Sequence, residues 1–129
     1  YTNNYEKVVM GLLSYVNEYK NFESLLEEIE RIKSGSRTLY LWRDPSSENI
    51  IGIIGFDQND KDQTILIRYL SINPSFRNEG LSLCILTALK EEFPVYPLAG
   101  SIETSGLIKK WSQSRNQQNE ARQKDSNRV

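Results

Sequence analysis

Apolar residues at Val8, Val9, Leu12, Leu13 and Val16 repeat at helical spacing, so the chain is expected to open with a short helix that Gly11 weakens. A second helix follows. Asn21 is placed to cap it, Phe22, Leu25, Leu26, Ile29 and Ile32 form its apolar stripe, Glu27, Glu28, Glu30 and Arg31 its polar one, and Gly35 ends it. From Thr38 the pattern turns extended, through Leu39, Tyr40, Leu41 and Trp42 to Arg43, with Tyr40 and Trp42 expected on opposite faces. Two further strands, residues 50–56 and 64–72, flank a polar turn from Gln58 to Asp62. Such short links imply an antiparallel meander. Beyond Asn73, Pro74 and Ser75, residues Leu81, Ile85, Leu89 and Phe93 share one helical face that stops near Pro94. Residues 95–98 read as a short strand. Residues 105–111 read as a last helix with Leu107, Ile108 and Trp111 facing inward.

The order α-α-β-β-β-α-β-α points to one α+β domain over residues 1–111. Its sheet is expected to be mixed and mostly antiparallel, with one right-handed parallel βαβ crossover and helices on its flanks. Residues 112–129, whose only apolar side chains are Ala121 and Val129, are expected to be a polar, mobile tail. A length of 129 residues with 38% hydrophobic and 26% charged positions fits a single globular domain. No apolar run reaches bilayer-spanning length and no signal segment opens the chain, so a cytoplasmic location is the default and no membrane partner is expected. The first residue is Tyr1 rather than Met, which points to native residues upstream.

Charge and the inventory of reactive groups narrow the chemistry. There is no histidine, which removes Ser-His and Cys-His nucleophilic pairs and the commonest zinc ligand sets. Proton transfer must fall to carboxylates, Tyr, Lys or Cys, and no metal is expected. The single cysteine, Cys84, offers neither a disulfide nor a thiolate cluster, and inside the third helix it reads as a small buried residue. A net charge of -1 argues against a nucleic-acid partner.

The segment INPSFRNEGLS, residues 72–82, carries the most specific signal. A strand running through a glycine loop into a helix leaves unpaired N-H groups at the positive end of the helix dipole, which suits an anion. Gly80 lets a ligand approach the backbone, Arg77 supplies a bidentate donor, Ser82 adds a hydroxyl, and Glu79 must point away. A capped turn without a ligand fits the same residues.

The longer stretch TILIRYLSINPSFRNEGLSLCILTAL resembles the core motif of the GNAT acyl-CoA N-acyltransferase superfamily. That motif is a strand ending in apolar-x-Pro, then Gln/Arg-x-x-Gly-x-Gly/Ala and an amphipathic helix. Ile72-Asn73-Pro74 and Arg77-Asn78-Glu79-Gly80-Leu81-Ser82 match it, with Ser82 departing from Gly or Ala. The resemblance spans roughly residues 38–111 and implies acetyl-CoA, or another acyl-CoA, as co-substrate. It implies that Leu70, Ser71 and Ile72 line the pantetheine arm, with Leu70 and Ile72 facing it. Arg77, Asn78, Glu79, Gly80, Leu81 and Ser82 would hold the pyrophosphate. A narrower resemblance, carried by YEKVVMGLLSY, LYLWRD and GIIG, is to the RibT group of small GNAT-type proteins encoded with bacterial riboflavin-biosynthesis genes.

The resemblance implies a Glu or water as base and a Tyr on the last helix as acid, but Trp111 stands where that Tyr belongs, with Lys110 beside it. Tyr96 and Tyr69 are the substitute acids, each equally readable as a sheet residue. Asp57 and Glu103 are the candidate bases, equally readable as a solvated turn carboxylate and a helix-end charge. Arg68 suits an anionic substrate or an ordinary ion pair. The two late strands that complete many GNAT domains are missing, which leaves the acceptor side open, completed by a second subunit in a homodimer, or shaped for a macromolecule. Three functions fit: an acetyl-CoA-dependent N-acetyltransferase acting on a small-molecule or protein amine, a non-catalytic CoA-binding regulatory module, and an interaction domain whose Gly80 turn is structural.

Overall fold

The computed structural model describes residues 5–114, apart from the side chains of Asn78 and Glu79. Most of the expected tail, residues 115–129, lies outside the described residues. Helix α1 (Glu6–Leu13) gives way to a 3-10 turn at Asn17–Tyr19, sooner than the apolar repeat through Val16 implies. Helix α2 (Phe22–Ser34) begins where Asn21 accepts a hydrogen bond from the Glu23 N-H at 2.8 Å, and it ends at Gly35. Strands β1 (Thr38–Arg43), β2 (Ile50–Asn59) and β3 (Thr64–Ile72) form the antiparallel meander, and α3 (Leu81–Glu92) crosses to β4 (Leu98–Gly100), which lies parallel to β3. A last helix, α4, occupies residues 105–114, three residues beyond its expected end. No helix among the described residues is long and apolar enough to cross a membrane.

The four-stranded sheet, ordered β1-β2-β3-β4, separates two cores. Val9, Leu13, Ile29, Ile53 and Tyr69 belong to the layer of α1 and α2. Ile54, Phe56, Ile67, Leu86, Leu89 and Trp111 belong to the layer of α3 and α4. Alternation along each strand decides which side chain joins which layer.

One local break in that alternation shapes the rest of the molecule. The β2-β3 register passes from Gly55 opposite Tyr69 to Phe56 opposite Ile67, so Arg68 is an extra residue, a β-bulge. The insertion reverses the phase of β3. Ile65 and Ile67 face α3, whereas Tyr69 and Ser71 face α1 and α2. Tyr69 then lies across Gly55, where any Cβ would overlap its ring.

Several expectations need correction. Tyr40 and Trp42, two apart in a strand, share one face: the Tyr40 ring meets Phe56 edge-on at 5.1 Å, and Trp42 packs into the same layer. The fourth strand starts at Leu98 rather than residue 95, because the Tyr96 N-H turns back to the Phe93 carbonyl and pairing begins only with the Ile65 N-H on Pro97. Cys84 is exposed rather than buried. Glu28, expected on the polar stripe of α2, is completely buried.

Candidate functional site

The site originates where β3 and β4 part. The two strands pair only over residues 65–67 of β3. Pairing stops there because the Ile67 carbonyl accepts the Thr104 Oγ1 hydrogen at 2.8 Å and the Ser101 N-H at 3.3 Å, so the chain is already turning into α4. Residues 68–72 of β3 therefore continue with no strand on that edge among the described residues. The Asn73 N-H points to the Ile51 carbonyl on the β2 side, so by alternation Leu70 and Ile72 direct their backbone groups to the open edge. An edge of this kind is a template for an extended ligand that carries amides.

The gap is a cleft of about 280 Å³ whose lining includes Tyr15, Asn17, Arg68, Leu70, Ser71, Ile72, Arg77, Glu103 and Thr104. The Ser71 side chain turns from it into the core, where its hydroxyl donates to the Leu12 carbonyl at 2.6 Å. At the mouth, the Asn73 side chain accepts from the Ser75 N-H and Pro74 opens a 3-10 turn through Glu79. Arg77 in this turn donates Nε to the Ile72 carbonyl at 3.1 Å and lays its guanidinium 4.8 Å from the Tyr15 ring centre.

Gly80 ends the turn in the left-handed region, with φ of 70°, and starts α3. A Cβ there would meet nothing within 4 Å, so the backbone conformation, not crowding by the protein, calls for glycine. Having no side chain, Gly80 gives the first amides of α3, at Leu81 and Ser82, no side-chain acceptor. Leu81 itself packs towards the α3-side core. Asn78 and Glu79 contribute backbone to the turn, and their side chains lie outside the described residues.

Of the expected acid-base groups, the cleft is lined by Glu103, exposed at its rim beside Thr104, and by Tyr69, whose hydroxyl is turned to Glu28 in the core. Asp57 is committed elsewhere. Its Oδ1 accepts from Arg37 at 2.6 Å and its Oδ2 from Arg68 at 2.7 Å. Tyr96 stands at the opposite end of the sheet, where it donates to Asp60 at 2.8 Å. Counting from Thr64 to Ile72 at ~3.3 Å per residue, that is about 25 Å from the mouth of the cleft. The bond to Asp60 also holds the Tyr96 phenol above the usual tyrosine range.

Tyr69 donates to Glu28 at 2.6 Å, and burial, reinforced by the Glu28 charge, raises its pKa well above the ordinary value. Trp111 is buried, with Nε1 donating to Thr87 Oγ1 at 3.1 Å.

Beneath the bulge lies a relay that the sequence pattern did not reveal. Buried Glu28 accepts from Tyr69, Tyr19, Arg31 and Arg37, the last at 2.9 Å. Arg37 also reaches Asp57, and Asp57 reaches Arg68. Burial works against the Arg37 charge, but its bonds to the two carboxylates outweigh burial and keep it firmly protonated. Tyr19 is pushed up to about 12, first by burial and then by the Glu28 charge. Tyr15, Asn17 and Thr104 were likewise not singled out, since only the tertiary fold brings them to the cleft.

The mixed sheet, the single parallel crossover and the helices on both faces define a GNAT-type acyltransferase fold. No family model matches the chain. It is 31% identical over 111 residues to the uncharacterised N-acetyltransferase in the lysA 3′ region of Bacillus methanolicus, covering 85% of this chain and 90% of that protein. The chain belongs to the GNAT N-acetyltransferase family.

Solved structures with the same fold include an aminoglycoside 6′-N-acetyltransferase complexed with coenzyme A (TM-score 0.59, 17% identity, 72% of this chain). The chain spans about half of that enzyme, 51% of its length. AAC(6′)-Iy in complex with the bisubstrate analogue CoA-S-monomethyl-acetylneamine aligns with TM-score 0.61 and 15% identity, covering 89% of this chain and 82% of that one. At such identities the likeness concerns the fold alone.

Proposed function

We propose that the protein transfers an acetyl group, or a similar acyl group, from acyl-CoA to an amine. The open edge of β3 carries this reading, because Leu70 and Ile72 present strand-spaced backbone groups beside a turn suited to phosphate. Acyl-CoA supplies an activated thioester, and its pantetheine arm has amides that match such an edge. Arg77, Gly80, Leu81 and Ser82, with the backbone of Asn78 and Glu79, are the proposed pyrophosphate cradle.

Glu103 is the proposed base, as the candidate carboxylate that shares the cleft with Arg68, Leu70 and Arg77. It takes a proton from the ammonium form of the acceptor, freeing the nitrogen lone pair. Nitrogen then bonds to the thioester carbon, the carbon-sulfur bond breaks, and sulfur leaves with the electron pair. The nitrogen sheds its surplus proton and sulfur takes one up from solvent, because Tyr96 lies at the far end of the sheet and the Tyr15 ring lies against Arg77 at the outer end of the cleft. On this reading residues 1–111 form one domain acting in the cytoplasm, its acceptor side open, completed by a second copy, or shaped for a macromolecule. A role associated with riboflavin biosynthesis, its acceptor unassigned, is the narrower form that the RibT-like segments imply.

Burial of Trp111 where an acid is expected favours a second reading, a CoA-binding regulatory module with little turnover. Release of CoA thiol from acetyl-CoA with a panel of primary amines separates the two. Amine-dependent release above hydrolysis supports catalysis. Binding without release supports the module.

A further inference from the structure

We infer that the acceptor is an amine bearing an anionic group, a carboxylate or a phosphate, and that Arg68 recognises that group; this rests on the acyltransferase reading above. Arg68 occupies the bulge where β4 leaves β3, at the inner end of the cleft. Arg77 marks the outer end. Four residues at ~3.3 Å each place Arg68 about 13 Å along the strand from Ile72. An arm that lies on Ile72 and Leu70 and runs inward from Arg77 brings its reactive end towards Arg68.

The charges lining the cleft have separable tasks. Arg77 faces the turn before α3 and Glu103 stands at the rim, so Arg68 is the remaining cation beside the site of reaction. Its orientation is set from the core outwards. Glu28 is fixed by four donors, Arg37 bridges Glu28 to Asp57, and Asp57 holds Arg68 by Nε. Asp57 divides its two oxygens between Arg37 and Arg68, so Arg68 is only partly neutralised. Among the described residues Arg68 is engaged through Nε, which leaves the terminal Nη pair of a side chain that is 43% exposed, and that edge binds a carboxylate or phosphate in a fork. The buried carboxylate and the second arginine behind it hold that orientation from the core, a restraint that an isolated surface ion pair lacks.

The test compares amines in matched pairs, using wild-type protein, Arg68→Gln and Arg68→Lys. Glycine against glycinamide probes a carboxylate, and O-phosphoethanolamine against ethanolamine probes a phosphate. Thiol release gives kcat and KM for each, while calorimetry gives acetyl-CoA affinity separately. The wild type should prefer the anionic member of at least one pair about tenfold or more in kcat/KM, as a charge-assisted bidentate contact implies. Arg68→Gln should erase most of that ratio through KM rather than kcat, and Arg68→Lys should restore part of it.

Equal preference within both pairs overturns the inference. So does a fall in kcat of the same size for charged and neutral amines, which would assign Arg68 to the reacting carbonyl instead. If no amine turns over, the same pairs are titrated into the CoA complex, and absence of tighter binding by either anionic amine is equally decisive. Failure of acetyl-CoA to bind the wild type defeats the acyltransferase reading itself, whereas binding without anionic preference defeats only this inference.

Discussion

Removing the carboxylate of Glu28 is predicted to destabilise the fold by about 4 kcal/mol. The side chain is completely buried and receives hydrogen bonds from Tyr69 at 2.6 Å, Arg37 at 2.9 Å, Arg31 at 3.2 Å and Tyr19 at 3.3 Å. Glu28→Ala leaves the Tyr69 hydroxyl buried without its acceptor, which costs about 1–3 kcal/mol. It also leaves Arg37, largely buried, with Asp57 as its remaining carboxylate. Breaking a buried ion pair from one side costs roughly 3–5 kcal/mol, a range that already includes much of the stranded-donor penalty.

Against a domain stability of about 5–15 kcal/mol, such a loss is large. Glu28→Gln keeps the shape and one acceptor oxygen but loses the charge opposite Arg37, so about 2 kcal/mol is expected. Urea unfolding followed by circular dichroism measures both, with an unchanged m-value required for comparison. A loss below about 1 kcal/mol for Glu28→Ala would refute the relay as a structural anchor.

Gly55→Ala forces a methyl group against the Tyr69 ring, whose hydroxyl is tied to Glu28, and should cost about 1–3 kcal/mol by overpacking; adding Tyr69→Leu should recover part of it, measured by the same unfolding assay. Tyr19 titrates near 12 in the folded chain against about 10 when unfolded. Folding therefore retains the proton, and the Tyr19 contribution should fall above about pH 10 until pH passes 12, at up to ~1.4 kcal/mol per unit, on top of the decline that buried Tyr69 causes in the same range. Tyr19→Phe should remove the Tyr19 share and leave a shallower decline, and an identical decline in the variant would contradict the assignment. Glu103→Gln should lower kcat by about a hundredfold or more while keeping the KM for acetyl-CoA, whereas turnover within about threefold of wild type would remove Glu103 as the base.

Local patterning made most of the elements legible. The Asn21 cap, the Gly35 stop and the strands Thr38–Arg43 and Thr64–Ile72 follow from signals within a few residues of each boundary. The fourth strand was displaced because its position depends on where β3 offers Ile65, a choice made 33 residues earlier in the chain. The geometry of the turn between β3 and α3 is equally local, since Asn73, Pro74 and Gly80 set it themselves.

The acid-base arrangement was not legible, for the opposite reason. Glu28 looked solvent-facing by helical period, yet its donors Tyr69 and Arg37 lie 41 and 9 residues away and only folding collects them. That gathering also decides the place of Asp57, which reads as a free carboxylate at a strand end but is held between two arginines. Tyr96 and Glu103 looked comparable in sequence. The divergence of β4 from β3 put one at the far end of the sheet and the other in the cleft.

Acyl-CoA lying along the open edge of β3 would leave its mark in residue-resolved amide hydrogen exchange when acetyl-CoA is added. The amides of Leu70 and Ile72, which face the edge, and those of Gly80, Leu81 and Ser82 at the start of α3 should slow together. The Asn73 amide, already bonded to Ile51, should change little. Saturating acetyl-CoA with no protection at Leu70 and Ile72, or with protection confined to another surface, would rule out the β3 edge as its binding site.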